Sequence, residues 1–88
     1  MRSIWAERMI VRVCSTRGAF EVLPEQKMDL DFGKLKQRFQ ALIETPMVLI
    51  VKDAYEVSCK KNGNLIVKRC ETSAGAEEQA RRIYAAAG

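Results

Sequence analysis

The sequence predicts an α+β fold: a mostly antiparallel five-stranded sheet with two helices on one face, in the order β-β-α-β-β-β-α. Three observations predict it. Short β-branched segments are punctuated by turn residues at positions 15–18 and 61–63. Phe32, Leu35, Phe39, Leu42 and Ile43 recur at helical spacing. Ala76, Ala80, Ile83 and Ala87 form a second, narrower stripe of small residues near the end. The 88 residues suffice for one domain with one modest core.

Residues 1–8 mix charge, Ser3 and a lone Trp5 without either secondary-structure period. They read as an N-terminal appendage to a domain spanning 9–88, with Met9 a candidate natural start and Trp5 able to dock on the body. The first strand runs from Met9 to Ser15. Ser15 opens and Gly18 closes a four-residue turn, and Ala19 to Leu23 returns as the second strand of a hairpin. Pairing Val13 with Phe20 and Val11 with Val22 puts all four on one face, and sets Arg12 opposite Glu21 on the other.

Pro24 to Lys27 leaves the sheet. A helix starts at Asp29 or Asp31, whose carboxylate can accept from free N–H groups, and runs through the stripe ending at Ile43. Thr45 before Pro46 is restrained from helical geometry and stops it. Met47 to Lys52 is apolar at both parities, the pattern of a central strand covered on both faces. Asp53-Ala54 turns the chain into a strand over Tyr55 to Lys60. A three-residue loop Lys61-Asn62-Gly63, with Gly63 in the left-handed bulge position, leads into Asn64 to Cys70. That loop sets Cys59 opposite Leu65, Val57 opposite Val67 and Glu56 opposite Lys68, segregating apolar from charged residues. The last helix spans about Ser73 to Ala87, with Ser73 as cap and Glu77–Arg81 and Glu78–Arg82 as i, i+4 pairs.

Asn62-Gly63-Asn64-Leu65-Ile66-Val67, followed by Cys70 and then Glu77-Glu78-Gln79-Ala80-Arg81, resembles the closing strand and helix of one TATA-box-binding-protein repeat. The resemblance covers the last third of the chain. It implies a curved sheet backed by helices, and it does not imply DNA binding, because the family's intercalating phenylalanines have no counterparts here.

The chain has no histidine, which removes Ser-His-Asp and Cys-His nucleophile activation, imidazole acid–base work and His-containing zinc sites. Cys14, Cys59 and Cys70 are odd in number and lack C-x-x-C spacing, unlike a secreted disulfide framework. With no signal-peptide pattern and no membrane-length apolar run, the expected location is cytoplasmic. No glycine-rich phosphate loop or calcium-loop pattern is present, so neither a cofactor nor a small-molecule substrate is expected.

Fifteen Lys and Arg face eleven Asp and Glu, a formal charge of +4. Lys60, Lys61, Lys68 and Arg69 gather on the second hairpin with no acidic residue between Val57 and Cys70. Phosphate contact is one reading of this cluster, and a lysine-guarded edge hairpin is the other. No aromatic interleaves it to stack bases, which favours the second. Cys14 beside Ser15, Thr16, Arg17 and Gly18 suggests a thiolate or anion cradle, but a strand rather than a helix follows, as in a plain hairpin turn. Cys59 reads as core. Cys70 falls on the face of Ile66 and Lys68, so a Cys59–Cys70 disulfide is not expected.

One feature exceeds structural need. With both helices on one face, the second apolar set of strand 47–52 requires a cover: Val48 and Ile50, or Met47, Leu49 and Val51. Ile66, Ile10 and Leu23 can join it. A bare apolar face marks a contact surface, unless the segment bearing Trp5 folds across it. The sequence thus points to a non-enzymatic interaction module using Val48, Ile50 and Ile66 to bind a copy of itself or another protein, with no membrane role. Nucleic-acid binding through the basic hairpin is the alternative, and a thiol-dependent enzyme or carrier using Cys14 is the second alternative.

Overall fold

The computed structural model describes residues 9–13, 18–25 and 28–87. The expectations for Trp5, for residues 1–8 and for Cys14 fall outside them. β1 (Met9–Val13) and β2 (Ala19–Pro24) form the first hairpin. Its register is the predicted one, Val13 opposite Phe20 and Val11 opposite Val22, and Arg12 Nε donates to Glu21 Oε1 across the pair at 2.9 Å.

α1 (Phe32–Arg38) starts where predicted, because the Asp31 carboxylate accepts from the Lys34 N–H at 3.2 Å. It ends earlier than predicted. Phe39 is extended, and its N–H donates to the Leu35 carbonyl at 2.9 Å to close the last turn. Gln40–Glu44 is not helix but a strand, β3, paired antiparallel with β4 (Val48–Lys52). Among the described residues the sheet therefore has six strands rather than five, and the order is β-β-α-β-β-β-β-α.

The physical reason lies in β3 itself. A bulge between Ala41 and Ile43 breaks the two-residue alternation by which a strand is read, and leaves Leu42 and Ile43 at helical spacing from Phe39. Ladder hydrogen bonds to β4 then outweigh one more helical turn, since intrinsic propensity is a weak term. Thr45 and Pro46 end no helix; they make the β3–β4 turn. The Thr45 N–H donates to the Val48 carbonyl at 2.8 Å and its hydroxyl accepts from the Val48 N–H at 2.9 Å, with Pro46 next in the turn.

β5 (Glu56–Lys60) and β6 (Leu65–Lys68) take the predicted register, with Cys59 opposite Leu65 and Glu56 opposite Lys68. Gly63 carries the positive φ, +101°, that the three-residue loop requires. β6 inserts between β2 and β5, giving the antiparallel order β1-β2-β6-β5-β4-β3. β4, expected at the centre, is thus next to the edge.

α2 (Ser73–Ala87) is capped one residue earlier than predicted: the Thr72 hydroxyl, not that of Ser73, accepts from the Gly75 N–H at 3.1 Å. Both helices cover one face. Leu35 of α1 and Ala76, Ala80 and Ile83 of α2 are buried against Val22, Leu49, Val51, Val57, Leu65 and Val67, one parity of the four inner strands. Two polar anchors lie among them. Tyr84 Oη donates to the Gly63 carbonyl at 2.7 Å, seating α2 on the β5–β6 loop. Buried Gln79 accepts from the Tyr55 N–H at 2.9 Å and donates to Asp53 at 2.8 Å, and Arg82 Nε meets the same carboxylate at 2.8 Å.

Cys70 departs from expectation. Arg69 takes a left-handed φ of 56°, which breaks the strand alternation and turns Cys70 into the helix-side core rather than toward Ile66 and Lys68. Cys59 and Cys70 therefore share one side of the sheet, and both thiols are free.

Candidate functional site

The face away from the helices can be built row by row from the strand registers. One row runs Arg12, Glu21, Ile66, Ser58, Ile50, Ile43 from β1 to β3. On one side of it lie Lys68, Glu56, Lys52 and Gln40. On the other lie Ile10 opposite Leu23, and Lys60 opposite Val48. Val48, Ile50 and Ile66, the residues predicted for this face, are thus brought together on it, with Ile10 and Leu23 extending the band. Strand alternation forces the arrangement: Leu49 and Val51 are fully buried under the helices, so Val48 and Ile50 must point the opposite way.

Val48, Ile50, Ile66 and Leu23 are half-buried by their neighbours, while Ile10 and Ile43 are more than half exposed. Among the described residues, no element packs over this band. The five most exposed large hydrophobic residues, Ile10, Val13, Leu42, Ile43 and Met47, all lie on the edge strands or the turn after β3. Ile10 on β1 and Ile43 on β3 carry the apolar surface of the open face to both edge strands, whereas Val13 belongs to the helix-side face.

Charge frames the band. Arg12 pairs with Glu21 at 2.9 Å and Lys68 with Glu56 at 3.1 Å. Lys52 and Lys60 are exposed and have no carboxylate at ion-pair distance among the described residues. Lys52 and Ile43 were not read from the sequence as part of this face. For Lys52 the signal was present, since it continues the alternation of Val48 and Ile50. For Ile43 the bulge concealed it.

The basic hairpin does not converge. Lys60 and Lys61 sit at the loop end and Lys68 and Arg69 at the other end, one strand length away. Lys61 folds back to the helix side, where its Nζ donates to the Leu30 carbonyl at 3.0 Å, lies 3.7 Å from Asp29 and stands 4.9 Å above the Phe32 ring. Lys60 and Lys68 share the open face at opposite ends of the hairpin, and Lys68 is engaged with Glu56.

The described thiols are closed. Burial pushes the Cys59 thiol up to about 12, and Cys70 is buried with its Sγ donating to the Thr72 carbonyl at 3.1 Å. Among the described residues, no group of three or more Cys, Asp or Glu lies close enough to hold a metal ion, and no helix is long and apolar enough to cross a membrane. A shallow groove beside Arg38, Phe39 and Arg82 gathers no buried polar group, since Arg82 is already committed to Asp53.

Comparison with protein-family models, with curated proteins and with solved structures finds no match to this chain.

Proposed function

We infer that this protein is a small, non-enzymatic, cytoplasmic interaction module that docks another protein on the open face of its sheet. One observation carries the reading. An aliphatic band of Ile10, Leu23, Ile66, Ile50, Val48 and Ile43 crosses the sheet on the side opposite both helices. A sheet that needs only stability places polar side chains on its solvent face, so a row of aliphatic side chains there, broken only by Ser58 between Ile66 and Ile50, signals contact. The alternative, nucleic-acid binding by Lys60, Lys61, Lys68 and Arg69, is weakened by the engagement of Lys61 on the helix side and of Lys68 with Glu56. A thiol chemistry would rest on Cys14 alone.

Site-specific photo-crosslinking in living cells tests the reading. A crosslinking amino acid at Ser58, in the middle of the band, should yield a discrete adduct with another protein. The same group at Glu78, on the exposed side of α2, should not, and Ile50→Lys should abolish the adduct. Equal or absent crosslinking from the two positions sinks the proposal.

A further inference from the structure

The open face also says what chemistry its occupant must have. Among the described strand residues it bears four cations, Arg12, Lys52, Lys60 and Lys68, against two carboxylates, Glu21 and Glu56. Both carboxylates are consumed in cross-strand pairs with Arg12 and Lys68. Lys52, which faces Glu56 across β4–β5 but lies beyond ion-pair distance of it, and Lys60, which faces Val48, have no ion-pair partner among the described residues, and they stand on opposite sides of the row holding Ile50 and Ser58. They stand on adjacent strands and differ by four residues in register, so strand geometry puts their Cα atoms about 14 Å apart. Between them lie Ile50 and Ser58, at the centre of the face.

Resting on the reading of this face as a docking surface, we propose that its occupant is an acidic amphipathic protein segment. The segment's apolar stripe covers Val48, Ile50 and Ile66, and carboxylates two to three helical turns apart reach Lys52 and Lys60. Charge complementarity selects this occupant over the others. A second copy stacked face to face about a twofold axis sets the uncompensated lysines of one protomer against the same basic face of the other. Nucleic acid satisfies the lysines but not the band, because the face is aliphatic: among the described residues it presents no aromatic ring on which a base can stack. Carboxylates flanking aliphatic side chains satisfy both.

The experiment is an amide-resolved NMR titration of the labelled full chain with three probes and by dilution. The first probe is a synthetic amphipathic peptide of roughly 18 residues with a leucine stripe flanked by glutamates, long enough to span the sheet. The second is the same peptide with lysine for glutamate, and the third is a short DNA duplex. The proposal expects the glutamate peptide to shift residues 48, 50, 52, 58, 60 and 66, and to bind at least about tenfold more tightly than the lysine peptide. It expects Lys52→Gln/Lys60→Gln, which leaves the aliphatic band and the fold intact, to weaken the glutamate peptide about threefold or more. Equal binding of the two peptides at the face overturns the acidic occupant while the docking surface stands. Dilution-dependent shifts on these residues make the occupant a second copy, and tighter binding of the duplex there makes it nucleic acid. Either overturns the proposal. An unresponsive face in every arm overturns both the proposal and the reading beneath it.

Discussion

Replacing Gly63 by alanine probes how the β5–β6 loop is seated under the rest of the fold. Two costs are separable. Gly63 has φ +101°, where a Cβ costs about 1–2 kcal/mol, partly offset by a smaller entropy in the unfolded chain. The added Cβ would also stand 2.6 Å from Met28 Cγ and 2.9 Å from Pro24 Cγ. Methionine can yield, but the proline ring at the end of β2 moves only with its backbone, so overpacking adds about 1–3 kcal/mol. Gly18 supplies the control: it also has positive φ, +78°, but a Cβ there meets no described atom within 4 Å. Gly18→Ala should therefore lose about 1 kcal/mol and Gly63→Ala about 2–4 kcal/mol. At this chain length the latter lowers Tm by about 10–20 °C. Urea and thermal denaturation followed by circular dichroism measure both. Equal losses in the two variants would refute the packing of Gly63 against Met28 and Pro24, and with it the seating of the loop.

Other perturbations have signs fixed by the same structure. Arg69→Gly relieves a left-handed arginine and should raise stability by about 0.5–1 kcal/mol, measured by urea titration; a loss would mean that the Arg69 side chain contributes more than its backbone costs. Gln79→Met strands the Tyr55 N–H and removes one donor to Asp53, so a loss of about 2–3 kcal/mol is expected by the same method. The Cys59 thiol is pushed from 9.0 up to about 12, and the Tyr84 hydroxyl is raised above its ordinary 10.0, each chiefly by burial. The unfolded chain therefore releases these protons at lower pH than the folded chain. Stability should be independent of both groups below pH 9 and fall above it, by about 1.4 kcal/mol per pH unit for Cys59 and more steeply once Tyr84 joins. Cys59→Ala should abolish the first part of that slope, and a pH series of urea melts reads it. Both described cysteines should resist alkylation in native buffer at pH 8 and react once urea is added.

The parts of the fold legible in the sequence were those in which local chemistry and long-range pairing agree. In the β5–β6 hairpin, Gly63 and the segregation of Val57, Cys59, Leu65 and Val67 from Glu56 and Lys68 pick one register. In the first hairpin, Arg12 and Glu21 do the same. What was hidden depended on irregular backbone. The bulge in β3 disguised a strand as the end of a helix, and the left-handed Arg69 moved Cys70 across the sheet, a conformation that arginine composition does not announce. Position in the sheet was also concealed. The apolar run of β4 reads as a central strand, yet β6 takes the middle because it pairs β2 on one side and β5 on the other. The open face was half legible: Val48, Ile50 and Ile66 follow from alternation, whereas its extension to Ile43 follows only from the β3–β4 pairing.

The most direct test of the open face as a docking surface is lysine footprinting by mass spectrometry. Acylation rates of Lys52, Lys60 and Lys34 are compared between the purified protein and the protein inside cells. Lys34 lies on the exposed side of α1 and serves as the reference. Occupancy of the face predicts that Lys52 and Lys60 are modified at least about threefold more slowly in cells, relative to Lys34, as mass action requires when most copies are bound. Unchanged ratios would contradict the account, because a face that stands bare in the cell docks nothing.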